Sequence, residues 1–192
     1  MKLLMEMTLR ADAVFGNGLS IPGGEDIATQ MDDQGFPYLK GNTLKGIFRE
    51  ELINLLSWSG KGEKETDETV CTLMGEGGSQ QFDETRKVRF SDFVVHPELR
   101  KAVEEETDDL RERIAMFTYT RDFTSLENGM AKEGSLRQCR AVKSGLHFYG
   151  TCDCAKEDAE LVKEVLSLIK WVGTMRNRGF GQVSIVVEEQ YE

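Results

Sequence analysis

The chain has 192 residues, and its 34 Asp and Glu outnumber its 24 Lys and Arg, which gives a formal net charge of −10. Nucleic-acid affinity rests mainly on Lys and Arg that neutralise phosphates, so this balance excludes a free-standing polyanion binder unless a local basic surface does the binding. The length and the 39% hydrophobic content suit one proper core and exclude disorder over most of the chain.

Four cysteines are too few for a disulfide scaffold, and the first residues alternate like a strand and do not form a signal-peptide pattern. The sequence also lacks an apolar run near the roughly 18–20 residues that span a bilayer. We therefore expect a cytoplasmic protein with reduced thiols and no membrane partner.

The first predicted elements are a strand, a long loop and a helix. Apolar and polar residues alternate from Leu3 to Ala11, which predicts a half-buried strand. Residues 15–41 then hold six glycines and two prolines, so they predict a long loop. A helix is predicted from Asn42 or Thr43 to about Leu56, because the apolar residues recur on one face.

The middle of the chain is rich in charged residues. By composition, residues 60–69 are predicted to form a solvated connector, and residues 87–95 return to strand-like character. The run 97–115 is dense in acidic residues but carries apolar residues at roughly helical intervals. It predicts a solvated amphipathic helix, with an acidic interaction tail as the alternative.

The last part of the chain completes an α+β pattern. The predicted elements are a strand and then a loop over 117–128, strands over 135–142 and 146–152, a helix over 156–172, a loop over 173–181 and a terminal strand. The order βα…ββ…αβ predicts a ferredoxin-like, RNA-recognition-type domain with an antiparallel sheet. We expect one domain over residues 1–192, with insertions at about 15–41, 57–86 and 97–134.

Three stretches carry residues suited to binding a sugar-phosphate chain. The first is Tyr38–Arg49, where a glycine loop leads into the start of the predicted helix. Free backbone N–H groups at a helix start, followed by Lys45 and Arg49, can hold a phosphate. The spacing is not that of a P-loop, and an ordinary helix cap with two solvated basic residues is the alternative.

The second stretch is Gly173–Gly181, between the last predicted helix and the last predicted strand. Glycines beside Arg176 and Arg178 allow a close backbone approach to a sugar-phosphate chain. Phe180 could stack on a base or fill the core. A tight turn with surface arginines explains the same pattern equally well.

The third stretch, Arg121–Lys143, contains more basic than acidic residues and therefore provides a local basic surface. The pattern predicts the tip of a projecting loop or hairpin at Leu126, Asn128, Gly129, Met130 and Ala131, and the basic residue Lys132 follows it. An exposed Met at such a tip could wedge between bases. A packing role for this Met is the alternative.

Together these stretches resemble the RAMP superfamily of CRISPR-associated proteins, in particular the Cas seven type backbone subunits of type III effector complexes. The family pattern G-x-P-Y-I-P-G-S-S-L-K-G-x-x-R resembles Gly35–Arg49, and the pattern G-x-x-R-S-R-G-F-G-R-V resembles Gly173–Val183. Asn177 and Gln182 depart from the second pattern. Further similar segments are Cys71–Gly75, Val88–Asp92, Thr124–Leu136 and Gly145–Phe148. The resemblance covers nearly the whole chain in the right order.

The resemblance implies a subunit that lines up along a CRISPR RNA and meets a complementary target RNA. Copies of itself and other CRISPR effector subunits are the implied protein partners. Lys45 and Arg49 would contact guide phosphates, and a thumb-like hairpin would distort the guide–target duplex. Lys40 stands where the family has proline. The expected RNA-binding residues are Lys40, Asn42, Thr43, Lys45, Arg49, Met130, Lys132, Arg176, Arg178, Gly179, Phe180 and Gly181.

A catalytic residue is also implied by the resemblance. Type III backbone subunits that cut target RNA carry an aspartate in the loop before the helix, a short distance ahead of a second acidic position. Asp26 and Asp32 match this arrangement, so Asp26 is the candidate, with Glu25 as its nearest competitor. A carboxylate beside a kinked RNA backbone can hold Mg²⁺ or help to activate the 2′-OH. A solvated acidic loop is the alternative, because many members of the superfamily only bind.

The two histidines of the chain, His96 and His147, have no acid–base partner that the sequence reveals. Their isolation weighs against an alternative function, a RAMP endoribonuclease that processes precursor CRISPR RNA, because such enzymes often use histidine. A non-catalytic RAMP interaction subunit is the other alternative. In that case the glycine loops are structural and the acidic helix at 97–115 docks a neighbour.

A zinc site is the last candidate in the sequence. Cys152 and Cys154 would share one face of a strand, and Cys139 or His147 could complete a ligand set. However, C-x-C is not the usual C-x-x-C knuckle, and Cys71 has no partner cysteine nearby. The spacing therefore disfavours zinc.

Overall fold

The computed structural model describes residues 1–18, 25–75, 87–127 and 129–190. Parts of the expected insertions at 15–41 and 57–86, together with Asn128, lie outside the described residues. The strands are β1 (Lys2–Leu9), β2 (Arg89–Phe90), β3 (Val94–Val95), β4 (Thr118–Phe123), β5 (Leu126–Glu127), β6 (Met130–Ala131), β7 (Arg137–Val142), β8 (His147–Asp153) and β9 (Val183–Glu189). The helices are α1 (Gly41–Trp58), α2 (Glu63–Met74), α3 (Pro97–Glu106), α4 (Leu110–Phe117) and α5 (Ala159–Leu168). Among these helices, none is both long and apolar enough to cross a membrane.

The strand β1 occupies the centre of the main antiparallel sheet, between β8 on one side and β9 on the other. The short strands β2 and β3 both pair with the outer edge of β8. Odd-numbered residues of β1 are buried under α1 and α5, and even-numbered residues face the opposite side, as the alternation predicts. The strands of the main sheet, together with α1 and α5, follow the predicted βα…ββ…αβ order, and the α+β class with an antiparallel sheet is confirmed.

The helix α1 packs one face against this sheet. Its buried side chains recur every four residues: Leu44, Phe48, Leu52 and Leu56. The helix begins at Gly41, slightly earlier than predicted. A Cβ atom at Gly41 would lie 2.5 Å from the carbonyl oxygen of Phe90, so only glycine lets the helix start approach the chain so closely. Gly41 therefore fixes where α1 meets the edge of the sheet.

The solvated connector predicted for residues 60–69 is wrong, because residues 63–74 form α2. Glu63 and Glu65 lie in its first turn, where the helix dipole stabilises negative charge. The charged composition conceals a stripe of buried residues at helical spacing: Thr66, Val70, Leu73 and Met74. This stripe packs into the same core as α1.

The single helix predicted for 97–115 is divided into α3 and α4. Thr107 ends α3, and its hydroxyl accepts a hydrogen bond from the Asp109 N–H at 3.1 Å. The Asp109 carboxylate then caps α4 by accepting from the Arg111 N–H at 2.7 Å. Because α4 continues through Phe117, where a strand was predicted, β4 begins only at Thr118.

A second, smaller layer lies beside the main sheet. The strands β4 and β7 pair antiparallel, with Phe123 opposite Arg137 at one end. The chain continues from this end into the β5–β6 hairpin, which corresponds to the predicted thumb-like hairpin. Ile27 bridges Cys139 in β7, so the segment 25–31 packs along this layer although a loop was predicted there.

Candidate nucleic-acid interface

A cleft of about 830 Å³ opens between residues 173–181, here called the arginine loop, and the segment that contains Asp26. Its lining consists of Asp26, Ile27, Arg137, Gly173, Thr174, Met175, Arg176, Asn177 and Arg178. Three of these side chains carry exposed guanidinium groups: Arg137, Arg176 and Arg178. The cleft thus brings together two candidates that are far apart in the sequence, the arginine loop and Asp26.

Two glycines lock the ends of the arginine loop to the rest of the fold. Gly173 has φ 77°, and a Cβ there would lie 2.4 Å from the carbonyl oxygen of Val14. Gly181 has φ 82°, and a Cβ there would lie 1.9 Å from the carbonyl oxygen of Val172. The glycine at position 181, which was expected to contact RNA, therefore has a structural role, because the residue is buried and closes the loop.

The middle of the arginine loop projects into solvent. Arg176–Arg178 form one tight helical turn, which ends at Gly179 with φ 83°. Met175 precedes the turn with φ 60° and has the only positive φ among the described residues other than glycine. This conformation costs about 1–2 kcal/mol in a residue with a side chain. The strained start aims the two arginines away from the core.

Asp26 is held firmly at the opposite wall of the cleft. Its carboxylate accepts hydrogen bonds from the Gln138 N–H at 2.8 Å and from the Arg137 guanidinium at 3.2 Å. The hydrogen bond from the Gln138 backbone, with a smaller contribution from Arg137, lowers the pKa of Asp26 below its ordinary value. Asp26 is therefore ionised at neutral pH and better suited to binding a cation or a hydroxyl group than to accepting a proton.

The neighbouring carboxylates have internal partners. Glu25 forms an ion pair with Arg140 and lines a separate cavity of about 580 Å³. Asp32 accepts hydrogen bonds from the N–H groups of Gln34 and Phe36 and closes a turn. The alternative of a merely solvated acidic loop is therefore wrong for Glu25 and Asp32. Of the acidic residues at 25–33, only Asp26 lines the cleft with the arginines.

Residues 35–49, here called the helix-start segment, join the cleft at one end. Lys40 and Thr43 line a smaller cavity of about 100 Å³ that shares Gly173 and Thr174 with the cleft. Asn42 is exposed beside them. The first backbone donor of the helix is already used, because the Gly41 N–H donates to the Asp92 carboxylate at 2.7 Å. An acidic cap at this position weakens the phosphate site that the sequence suggested.

The two basic residues further along α1 are placed differently from Lys40. Lys45 and Arg49 are half-buried, and neither lines either of these two cavities. The Arg49 guanidinium donates to the carbonyl oxygen of Gly75 at 2.8 Å and so holds the end of α2. This structural role was not predicted from the sequence, because it requires α2 to pack beside α1.

The hairpin presents its tip to solvent. Met130 is 71% exposed, so the alternative of a packing role for this residue is wrong. Lys132 is also exposed, and its Nζ lies 3.7 Å from the Glu127 carboxylate. An exposed ion pair of this kind contributes little to stability. Both candidate residues are thus accessible to a large ligand.

Phe180 does not stack on a base in this structure, because its ring is only 2% exposed. The ring lies in a small core cluster with Val14, Cys139 and Ala141. Of the two roles that the sequence left open, filling the core is the one observed, and the expected RNA contact through its ring is wrong.

Arg137 belongs to the local basic surface that was predicted for Arg121–Lys143, but its place beside Asp26 was not predicted. That place depends on the segment 25–31 lying along β7. Sequence analysis also missed a stack in which the Arg121 and Arg178 guanidinium groups lie over the ring of Phe123, at 5.4 and 5.0 Å. The alternation of arginine and aromatic residues in β4 was the one available signal.

The expectation that both histidines lack an acid–base partner is wrong for His147. Its Nδ1 lies 2.6 Å from a carboxylate oxygen of Glu6, which also accepts from the Tyr149 hydroxyl at 3.1 Å. Hydrogen bonding to His147, and then to Tyr149, lowers the pKa of Glu6. The ring of His96 packs edge-on against Tyr149 with centroids 5.1 Å apart. These groups lie on the face of the main sheet opposite α1.

Within the described residues, no group of three or more His, Cys, Asp or Glu is placed to hold a metal ion. All four cysteines have free thiols. Cys152 and Cys154 lie in the main core and Cys139 in the smaller cluster. Burial raises the pKa of all three thiols, which makes them poor metal ligands. Asp26 alone offers an exposed carboxylate oxygen at the cleft.

The comparisons with known proteins agree with this architecture. A sequence model of the RAMP superfamily matches residues 7–184. The fold is similar to a chain in a cryo-EM structure of the type III-B Cmr-beta bound to cognate target RNA, with a TM-score of 0.72 and 11% identity over 97% of both chains. It is also similar to a chain in the apo state of type III-B Cmr-beta, with a TM-score of 0.73 and 14% identity over 99% of this chain and 98% of the other.

No curated protein matches the chain significantly in sequence. The family match nevertheless begins within β1 and ends within β9, so it includes most of the main sheet, the pair of strands β4 and β7, the β5–β6 hairpin and every residue that lines the cleft. On this evidence, the chain belongs to the RAMP superfamily.

Proposed function

We propose that the chain is a CRISPR RNA-binding backbone subunit of a type III CRISPR effector complex in antiviral defence. The observation that carries the proposal is the cleft in which exposed Arg137, Arg176 and Arg178 surround Asp26, in a chain with a net charge of −10. One basic cleft on an acidic protein favours a single shaped site for a phosphate chain over nonspecific binding. Membership of the RAMP superfamily and the likeness to chains of Cmr-beta support this role.

In this proposal the guide backbone follows the cleft along the arginine loop. Arg176 and Arg178 donate to its phosphate oxygens, because contacts of this kind fix the register of a nucleic acid without reading its sequence. The path continues past Lys40, since the two cavities share Gly173 and Thr174. Met130 at the exposed hairpin tip meets the duplex that the guide forms with target RNA. Further copies of the chain and other effector subunits extend the groove.

Guide binding is tested in the complex assembled from the chain, its effector partners and a guide RNA. Arg176→Ala with Arg178→Ala is expected to weaken guide retention about tenfold and to reduce the salt slope of log K by about 1.4, as for two lost phosphate contacts. The matched control is Lys101→Ala with Arg111→Ala, on the exposed surface of α3 and α4. If the two double variants retain the guide RNA equally well, guide binding by the arginine loop is contradicted. A non-catalytic interaction subunit is then the remaining interpretation.

Cleavage of target RNA at Asp26 is the finer part of the proposal. The ionised carboxylate faces the arginines that would hold the backbone, so it suits orienting a target 2′-OH beside its phosphate. Mg²⁺ would neutralise negative charge on that phosphate, with Asp26 supplying one oxygen ligand. The 2′-OH gives its proton to water as its oxygen attacks the adjacent phosphorus. The P–O5′ bond breaks, and the 5′-oxygen leaves with a proton from water, which produces a 2′,3′-cyclic phosphate and a 5′-OH.

Cleavage is tested with assembled complex, Mg²⁺ and complementary RNA. We expect cuts at regular intervals that disappear with Asp26→Ala and persist with Asp33→Ala, an exposed neighbour in the turn after the cleft. Guide retention should be unchanged in both variants. Periodic cuts that survive Asp26→Ala would remove the catalytic role and leave the binding role intact.

The Glu6–His147 pair favours a second candidate function, processing of precursor CRISPR RNA without a metal. The carboxylate orients the imidazole through Nδ1, which leaves Nε2 to take a proton from a 2′-OH. Repeat RNA incubated with the purified chain in EDTA tests it. Cleavage should be lost with His147→Ala and retained with Asp153→Asn on the same strand. Intact repeat RNA would exclude this candidate.

A further inference from the structure

The ring of Phe123, at the end of β4, lies against the arginine loop. The Arg178 guanidinium lies 5.0 Å from the ring centroid, and the Arg121 guanidinium lies 5.4 Å from it. Arg121 also lies 5.2 Å from the centroid of Phe180. The rings of Phe123 and Phe180 meet edge to face, with centroids 6.0 Å apart. Two cations and two rings thus form one continuous stack.

This stack restricts the side chain of Arg178. Arg178 is exposed and forms no salt bridge with the part of the chain that the structure describes. A guanidinium over an aromatic face is attracted by the ring quadrupole, and its charge and donors stay available at the edges. An arginine held in this way loses less conformational freedom when it binds a phosphate.

The position of Phe123 connects two walls of the cleft. Phe123 is the last residue of β4 and lies directly opposite Arg137 in β7. Arg137 in turn contacts Asp26 at 3.2 Å. After Phe123 the chain enters the β5–β6 hairpin. A shift of the hairpin stem would therefore move the ring on which Arg178 lies.

We propose that Phe123 is a positioning residue that holds Arg178 in the cleft. Through Phe123, RNA binding by the arginine loop depends on the position of the hairpin. This inference rests on the proposed guide binding. It adds that Arg178 binds the guide at full strength only when the hairpin stem is in its present position. Phe123 itself acts through Arg178, with no contact to RNA.

The test is a double-mutant cycle on guide retention in the assembled complex. Phe123→Leu should weaken retention about 3- to 10-fold and reduce the salt slope by about 0.7, as Arg178→Ala does. In the Arg178→Ala background, Phe123→Leu should have no further effect. Phe123→Trp keeps a ring and should restore retention to within about twofold of the unmodified chain. Phe90→Leu, a half-buried phenylalanine in β2, is the matched control.

Each outcome separates the positioning role from the proposed function. If Arg178→Ala weakens retention and Phe123→Leu does not, the positioning role is wrong and guide binding stands. If the two losses add, Phe123 acts independently of Arg178 and the inference fails. If Arg178→Ala has no effect, both proposals fail at this residue. Melting temperatures monitor folding, and Phe123→Met, which keeps volume without a ring, replaces Phe123→Leu where that variant does not fold.

Discussion

The helix-start segment and the arginine loop both place glycines beside basic residues, but these residues have different roles in the two segments. In the helix-start segment, the Gly41 N–H binds Asp92 and the Arg49 guanidinium binds Gly75. In the arginine loop, only the end glycines are packed, and Arg176 and Arg178 are exposed at the cleft. A glycine-rich basic motif can therefore join elements of the fold or present cations to a ligand, depending on what packs against it.

The largest expected effect is on the free energy of unfolding, and it differs between a glycine of the helix-start segment and a glycine of the arginine loop. Gly41→Ala should lower the free energy of unfolding by about 3 kcal/mol, because it forces a Cβ against backbone atoms. At Gly179 an added Cβ meets open space, and only the φ of 83° opposes alanine. We expect a loss of about 1 kcal/mol there. Urea unfolding measures both, and equal losses would contradict the difference in packing.

Arginine substitutions extend the comparison to the side chains. Arg49→Ala should lower the free energy of unfolding by about 1.5–3 kcal/mol, because it leaves the last carbonyl groups of α2 without a charged donor. Arg176→Ala should leave stability within about 0.5 kcal/mol, as is usual for an exposed surface residue. Thermal and urea unfolding of both variants provide the measurement. A marked destabilisation by Arg176→Ala would show that the arginine loop is itself structural.

For guide binding, we expect substitutions in the arginine loop to have larger effects than substitutions in the helix-start segment. Arg176→Ala should weaken guide retention about 3- to 10-fold and lower the salt slope by about 0.7. Lys45→Ala should have a smaller effect, because Lys45 is half-buried and outside both cavities. Filter binding of assembled complexes at several salt concentrations compares them. A larger loss with Lys45→Ala would make the helix-start segment the principal guide contact.

The smallest expected effect concerns the pH dependence of Asp26. Its folded pKa is below the ordinary value of 3.8, chiefly because of the hydrogen bond from Gln138, so its stabilising contribution is complete above that value. The contribution is lost as the pH falls through the folded pKa. The stability difference between the unmodified chain and Asp26→Asn should therefore shrink at low pH. A constant difference between pH 7 and pH 3 in urea unfolding would contradict this linkage.

Elements with a regular pattern could be predicted from the sequence, and contacts between distant elements could not. The alternation in β1 and the four-residue spacing in α1 are local signals of burial. The helix α2 was missed because its first half is mostly charged and its buried stripe is narrow. The position of Asp26 beside Arg137 and the pairing of His147 with Glu6 depend on which segments lie side by side, which no local pattern specifies.

The central position of β1 has a consequence for synthesis on the ribosome. Lys2 pairs with Asp153, and Leu3 pairs with Glu189, so β1 finds its two neighbours only after the much later strands β8 and β9 have emerged. Until then its apolar residues have no sheet to enter, and such non-local pairing is slow. The nascent chain therefore carries an exposed apolar strand that chaperones can recognise, and its cleft forms only in the last stage of folding.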